Sequence, residues 1–246
     1  MKAIHVFATA CLFALILISC EKGNDINTSN INAKWEVTSP NSSYKSFEFS
    51  SDGFFLVVKS NIAKSTSEED SCIFGTYNLS DQTVVLENFG RLEIKELANN
   101  QMAFSFKSIT GSSESIDIAA KKTTEMSETP KTNLLCRTWK LDRINGKSVV
   151  GKPEEFTVFF SKAGTYFVQY RNPDEDHENG LALWKWGNTD QNFIYYSWNE
   201  TFIDEEENKV HVNELKASKL VMTEYYHADL DGENFEVFEL SPVGSH

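Results

Sequence analysis

Cysteine is scarce in this chain, with four among 246 residues. Cys11 and Cys20 fall in the first 20 residues, and Cys72 and Cys136 alone form no framework pattern, so a disulfide-stapled scaffold is excluded. Basic residues are in deficit, 23 against 36 acidic, for a net charge of −13. No basic patch offsets this, and such a chain repels nucleic acid and anionic lipid surfaces. No apolar run reaches the roughly 20 residues that a membrane-spanning helix needs. Also absent are Gly-x-Ser-x-Gly, His-Glu-x-x-His, a phosphate-cradling glycine loop and Cys-x-x-Cys, and with them the best-marked hydrolase, zinc, nucleotide and thiol chemistries. A convincing 3.6-residue apolar period is found nowhere, which argues against a helical fold.

What the chain does have is an internal repeat. Ile31-x-x-x-Trp35-x-Val37 matches Leu135-x-x-x-Trp139-x-Leu141, and Phe47-x-Phe49-Ser50-x-x-Gly53 matches Val158-x-Phe160-Ser161-x-x-Gly164. Ser80-Asp81-Gln82 matches Thr189-Asp190-Gln191, and Ile94-x-Glu96-Leu97 matches Val212-x-Glu214-Leu215. A repeat of about 100 residues implies two domains of one fold. These are 31–118 and 134–243, joined by a polar linker at 119–133 whose only large apolar residue is Met126.

Within each copy, β-branched and aromatic runs alternate with polar residues and are bounded by Gly, Asn, Asp and Ser. Strands are predicted near 34–38, 45–50, 53–59, 72–79, 83–88, 91–97, 101–108 and 113–118 in the first copy. In the second they are predicted near 138–144, 155–161, 164–171, 180–187, 192–197, 209–215, 218–227 and 233–240. Eight antiparallel strands in simple succession suit an up-and-down barrel, which leaves no exposed edge. The predicted fold is therefore all-β, two tandem eight-stranded antiparallel barrels. Tight connections such as Ser50–Gly53 and Ser161–Gly164 fall at one end, and the longer, divergent loops form an open mouth at the other.

The N-terminus carries an address. Lys2 precedes an apolar stretch from Val6 to Ile18, broken only by Thr9, and Leu17-Ile18-Ser19-Cys20 closes it. This is a secretory h-region, too short for a span. Leu-x-x-Cys after such a region resembles the lipobox of bacterial lipoproteins. That resemblance implies a signal peptide at 1–19, cleavage before Cys20, lipidation of Cys20 and a membrane anchored through that lipid. Residues 20–30 then read as a polar tether. Loss of Lys2 leaves 22 basic against 36 acidic residues, a charge of −14. In an exported compartment Cys72 and Cys136 are free to bridge the domains, but the pair reads better as two small buried hydrophobes.

The eight-strand pattern, a tryptophan on each first strand and the asymmetry between tight turns and long loops resemble the lipocalin-like domains of Bacteroidetes lipoproteins. The resemblance covers both repeats. It implies Trp35 and Trp139 at the closed base, an outer-membrane location, a barrel able to hold a small apolar ligand, and neither catalysis nor a cofactor.

Candidate chemistry is sparse. His211, flanked by Val210 and Val212, is predicted to face solvent; His177 and His227 read as loop residues. Asp229-Leu230-Asp231-Gly232 fails a calcium-loop template, with His227 and Phe238 at ligand positions, and reads as a hairpin turn. No pair of carboxylates is evident on adjacent strands pointing into one cleft, as glycoside hydrolysis requires, so no metal site and no enzyme is expected. The second copy holds 18 aromatic residues against 11 in the first. Trp184 and Trp186 share one strand face, as do Tyr166 and Tyr170 on the strand before, and an alignment of the copies sets Trp184 opposite Gly75 and Trp186 opposite Tyr77. These four residues are the candidate ligand-binding set, weighed against a barrel simply filled by its own side chains.

The expected role is thus a non-enzymatic, membrane-anchored binder of a small apolar or neutral ligand, the alternative being a surface accessory protein whose filled barrels meet protein or glycan through their loops. Eleven acidic residues in the long loops of the second copy, among them Asp174, Glu175, Asp204, Glu207, Asp229 and Glu233, are predicted to ring one rim and to disfavour anions. The lipobox reading has a direct test: Cys20→Ala should move the protein from the membrane fraction to the soluble fraction, and retention of the variant in membranes would refute the anchor.

Overall fold

The computed structural model describes residues 26–60, 71–109, 114–174, 177–198, 202, 208–226 and 234–244. Residues 1–25, among them Cys20, lie outside them, as do His227 and Asp229–Gly232. Among the described residues the first domain contains α1 Thr28–Ile31, β1 Lys34–Val37, β2 Tyr44–Phe49, β3 Phe54–Lys59, β4 Ser71–Ser80, β5 Thr83–Leu86, β6 Gly90–Leu97, β7 Gln101–Ser108 and β8 Ile116–Lys122. The second contains α2 Pro130–Leu135, β9 Thr138–Ile144, β10 Lys147–Ser148, β11 Phe156–Phe160, β12 Thr165–Tyr170, β13 Gly180–Trp186, β14 Phe193–Ser197, β15 Lys209–Lys216, β16 Lys219–Tyr226 and β17 Asn234–Pro242.

Within each domain successive strands pair antiparallel, with β11 following β9 in the sheet, and each domain closes on itself. In the first, Trp35 of β1 pairs with Lys122 of β8. In the second, Trp139 of β9 pairs with Pro242 of β17, and the two-residue β10 is a side hairpin on β9. The fold is therefore two eight-stranded antiparallel barrels in tandem, as the alternation predicted. Gly53 and Gly164 adopt left-handed backbone angles (φ +85° and +82°) in equivalent base turns, a conformation glycine takes without a side-chain clash.

Each barrel begins with a short helix that plugs its base. Asn27 and Thr129 are the N-caps, their side chains accepting from the N–H groups of Asn30 and Thr132. The buried indole of Trp35 donates to the Ile31 carbonyl at 2.8 Å, and that of Trp139 to the Leu135 carbonyl at 2.9 Å. Helices of four and six residues are too short to show a period, which is why the sequence reading placed both in polar connectors. The 119–133 segment is accordingly not a free linker. β8 runs on to Lys122, Thr123 N–H donates to Lys34 at 2.8 Å, and Met126 N–H donates to Lys162 at 2.8 Å.

The first barrel has a packed aromatic core. Tyr44, Phe47, Phe89, Phe104 and Phe106 interlock with ring centroids 5.1–6.3 Å apart. Lys59 stands over the Tyr44 and Phe89 rings at 6.0 and 5.3 Å.

The two barrels share a third apolar cluster. Leu56 and Val58 of β3 are buried against Phe159 and Phe167 of the second barrel, with Cys72, Phe74 and Leu181 packed around them. Phe74 lies 5.8 Å from Phe159 and 5.5 Å from Phe167, centroid to centroid. Polar links flank the cluster: Thr138 N–H donates to Asp52 Oδ2 at 2.7 Å, and Lys34 Nζ donates to Thr165 Oγ1 at 3.3 Å. The two barrels are thus coupled by an apolar contact as well as joined by the 119–133 segment. Leu56 is 0% exposed, so Leu56→Ala should cost about 3 kcal/mol. Differential scanning calorimetry should show one transition in the parent and two in the variant; a single unchanged transition in both would refute the coupling.

Candidate functional site

The second barrel has a packed base, and the four candidate aromatics divide between that base and the interior above it. Trp184 is buried at the base, 5.5 Å from Phe160 and 5.5 Å from Trp186, with its indole N–H donating to the Ser161 carbonyl at 2.9 Å. Trp186 donates to Thr132 Oγ1 of α2 at 3.0 Å. Both therefore pack the floor with their N–H groups engaged.

The correspondence of Trp184 with Gly75 is also corrected. Tyr77 N–H donates to the Gly53 carbonyl as Trp184 N–H does to that of Gly164, and the Tyr77 hydroxyl reaches Ser50 as the Trp184 indole reaches Ser161. Trp184 is thus the equivalent of Tyr77. The turn between β13 and β14, residues 187–192, is longer than that between β4 and β5, residues 81–82, so anchoring the copies on that turn shifts the strand by two.

Tyr166 and Tyr170 point into the barrel above that floor. Tyr166 contacts Phe160 at 5.0 Å, stacks on Tyr196 at 5.7 Å and meets Trp198 at 5.9 Å. Tyr170 meets Phe156 at 5.5 Å and the His177 ring at 5.1 Å, and His177 in turn pairs with Asp174 at 2.8 Å. Trp198, 52% exposed, leans across Gly180, where any Cβ would come within 2.4 Å of its ring. Gly180 and Ala182 are the small inward residues that make room for these rings.

Two carboxylates share this mouth. Glu224 of β16 and Glu236 of β17 are direct cross-strand partners one step above the inward pair Met222 and Phe238, so both face the interior. The Tyr196 hydroxyl donates to Glu224. Burial first, then the charge of Glu224, pushes the Tyr166 phenol up; burial, Glu224 and Glu236 do the same for Tyr170. The sequence reading found no carboxylates on adjacent strands directed into one cleft, and this pair overturns it. The signal was present in Leu220-x-Met222-x-Glu224 and Glu236-x-Phe238-x-Leu240, where an acidic residue occupies the next position of each apolar alternation. Of the acidic rim, Asp174 and Glu178 are described, while Glu175, Asp176, Asp204–Glu207, Asp229, Asp231 and Glu233 lie outside the described residues.

The outer wall has a different character. His211 faces outward, as its valine flanks predicted, between Phe193 at 5.9 Å and Tyr225 at 5.5 Å. The row continues to Phe235, 5.9 Å from Tyr225, with Lys209 over Phe193 at 4.3 Å. Burial, with Lys209, lowers the His211 pKa.

Among the described residues no group of three or more His, Cys, Asp and Glu side chains is placed to hold a metal ion. Cys72 and Cys136 are thiols, and burial pushes the Cys136 thiol up to about 12. Comparison with protein-family models and with curated proteins finds no match for this chain.

The fit of Trp198 over Gly180 is testable. Gly180→Val should swing the half-exposed indole into solvent and change stability by less than about 1 kcal/mol, since the ring is free to move outward. Expected readouts are red-shifted tryptophan emission and easier acrylamide quenching; an unchanged spectrum would show that Trp198 does not rest there.

Proposed function

We propose that this protein is an exported lipoprotein, held at the outer membrane by lipid on Cys20, that binds a small neutral or cationic ligand with an apolar body in the mouth of its second barrel. The first barrel, with its packed aromatic core, is the supporting partner, and the role is binding rather than catalysis. The observation that carries the reading is the Glu224–Glu236 pair facing inward among Tyr166, Tyr170, Tyr196 and Trp198. Ring faces attract a cation through their quadrupoles, nearby carboxylates add a field of the same sense, and the apolar rings take up the rest of the ligand. An anion entering the same space meets two like charges at reduced dielectric. Trp184 and Trp186 support this site as its floor.

The outer row from Phe193 to Phe235 favours a second reading, an accessory surface. Tyr225 and Phe235 are 45% and 52% exposed, and the row they end begins at Phe193, under Lys209, in an otherwise acidic chain.

Titration with an alkyltrimethylammonium and an alkylcarboxylate of equal chain length, below their micellar concentrations and at low salt, separates these readings. The cation is expected to bind about tenfold more tightly, equivalent to about 1.4 kcal/mol, with the preference shrinking as salt rises. A Glu224→Gln/Glu236→Gln double variant should abolish the preference. Equal or tighter binding of the anion would refute the site. Because two neighbouring carboxylates are also the minimum set for glycoside hydrolysis, turnover of a glycan panel that the double variant loses would replace the binding role with an enzymatic one.

A further inference from the structure

We propose that the first barrel positions the ligand site of the second, by clamping the strands that carry Tyr166. β11, β12 and β13 present two rows of side chains back to back. On the outer face Phe159, Phe167 and Leu181 are direct cross-strand partners. All three belong to the cluster that contains Leu56, Val58 and Phe74 of the first barrel. One residue along each strand, Phe160, Tyr166 and Ala182 are partners in the same way. Successive side chains on a strand point to opposite faces, so these three face the interior. The wall of the binding site and the wall of the contact are two sides of one piece of backbone. This role rests on the binding site proposed above and adds what holds its shape.

The inner face supplies little of that hold on one side. Tyr166 meets Phe160 at 5.0 Å, but its partner on β13 is Ala182, and Val168 stands opposite Gly180. The outer face is tightly packed. Phe159 and Phe167 are 1% and 3% exposed, and the Phe74 ring meets them at 5.8 and 5.5 Å. A polar seam extends the grip: Glu48, the cross-strand partner of Leu56, accepts from Ser161 and Thr165 on either side of the β11–β12 turn. Close-packed side chains resist displacement, whereas a cavity lets its lining relax. With the Phe74 ring removed, Phe167 is free to settle towards the first barrel, and Tyr166, its chain neighbour, must turn with it. The strands of Tyr196, Glu224 and Glu236 carry the outward row from Phe193 to Phe235, which among the described residues is not part of that cluster. The site thus has one wall backed by the first barrel and one that is not. A ligand held between them senses the contact and, by reciprocity, strengthens it.

The test uses the full chain and the alkyltrimethylammonium of the titration above. Phe74→Ala should weaken its binding about fivefold, the lower end of ordinary coupling between sites, with the number of ligands bound per chain unchanged. A site lost by unfolding would lower that number instead. The preference for cation over anion should stay as in the parent, because Glu224 and Glu236 are untouched. Phe74→Leu, which keeps most of the packing, should recover most of the lost affinity. Leu86→Ala, a deletion in the first barrel's own core, should leave affinity as in the parent. A second readout needs no ligand. In protein labelled at the tyrosine rings, the NMR signal missing from Tyr166→Phe should shift in Phe74→Ala and keep its place in Leu86→Ala. If Phe74→Ala does not fold, Val58→Ala, a smaller deletion in the same cluster, should move both readouts in the same direction. A parent that binds neither amphiphile would refute the barrel site, while the Tyr166 signal still decides the positioning. An unmoved Tyr166 signal, undiminished affinity in the cluster variants of a parent that binds, or an equal effect of Leu86→Ala would overturn the role of the first barrel.

Discussion

Closing an eight-stranded sheet removes its edges and fixes its interior volume. Both consequences govern this protein. The closing pairings, Trp35 with Lys122 and Trp139 with Pro242, lie beside the tryptophans whose indoles hold the plug helices. Strand closure and base plugging are therefore one unit in each barrel, and everything above the base is a matter of which side chains occupy a fixed space. In the first barrel interlocked phenylalanines occupy it, with Lys59 over the Phe89 ring. In the second, Gly180 and Ala182 give up volume on one side, and tyrosines and glutamates line the other.

The outer faces divide in a similar way. A strand with one wet face alternates, as β6 and β7 do. β3, Phe54-Phe55-Leu56-Val57-Val58, does not alternate, because Phe55 and Val57 enter the first barrel while Leu56 and Val58 meet the second. Val158-Phe159-Phe160 and Phe167-Val168 are the matching runs. The contact between barrels is thus made wherever apolar alternation fails in both copies, and the polar seam containing Glu48 runs alongside it.

Much of this was legible in the chain. Period-two alternation and turn residues placed the strands within a few residues of their observed ends, and the repeat gave two barrels rather than one sheet. The failures have physical causes. Helices shorter than two turns carry no period, so α1 and α2 were hidden in polar connectors. The register across β13 was lost in a turn longer than its counterpart, which misplaced Trp184. The unbroken runs in β3 and β11 were read as strands, without the further step that a strand apolar on both faces must have two neighbours. Glu224 and Glu236 escaped because acidic residues are abundant, and only the pairing of β16 with β17 sets these two side by side.

That pairing has a consequence for how the sequence tolerates change. Like charges directly opposite on one face of a sheet oppose folding by roughly 0.2–1 kcal/mol, and here both also face a barrel interior. At most positions random substitution lowers stability. At Glu224 and Glu236 two effects oppose one another: a neutral residue would relieve the repulsion, and at Glu224 it would also remove the acceptor of the Tyr196 hydroxyl. The acidic pair is thus held by a balance, and the tyrosine beside it is part of what sets that balance.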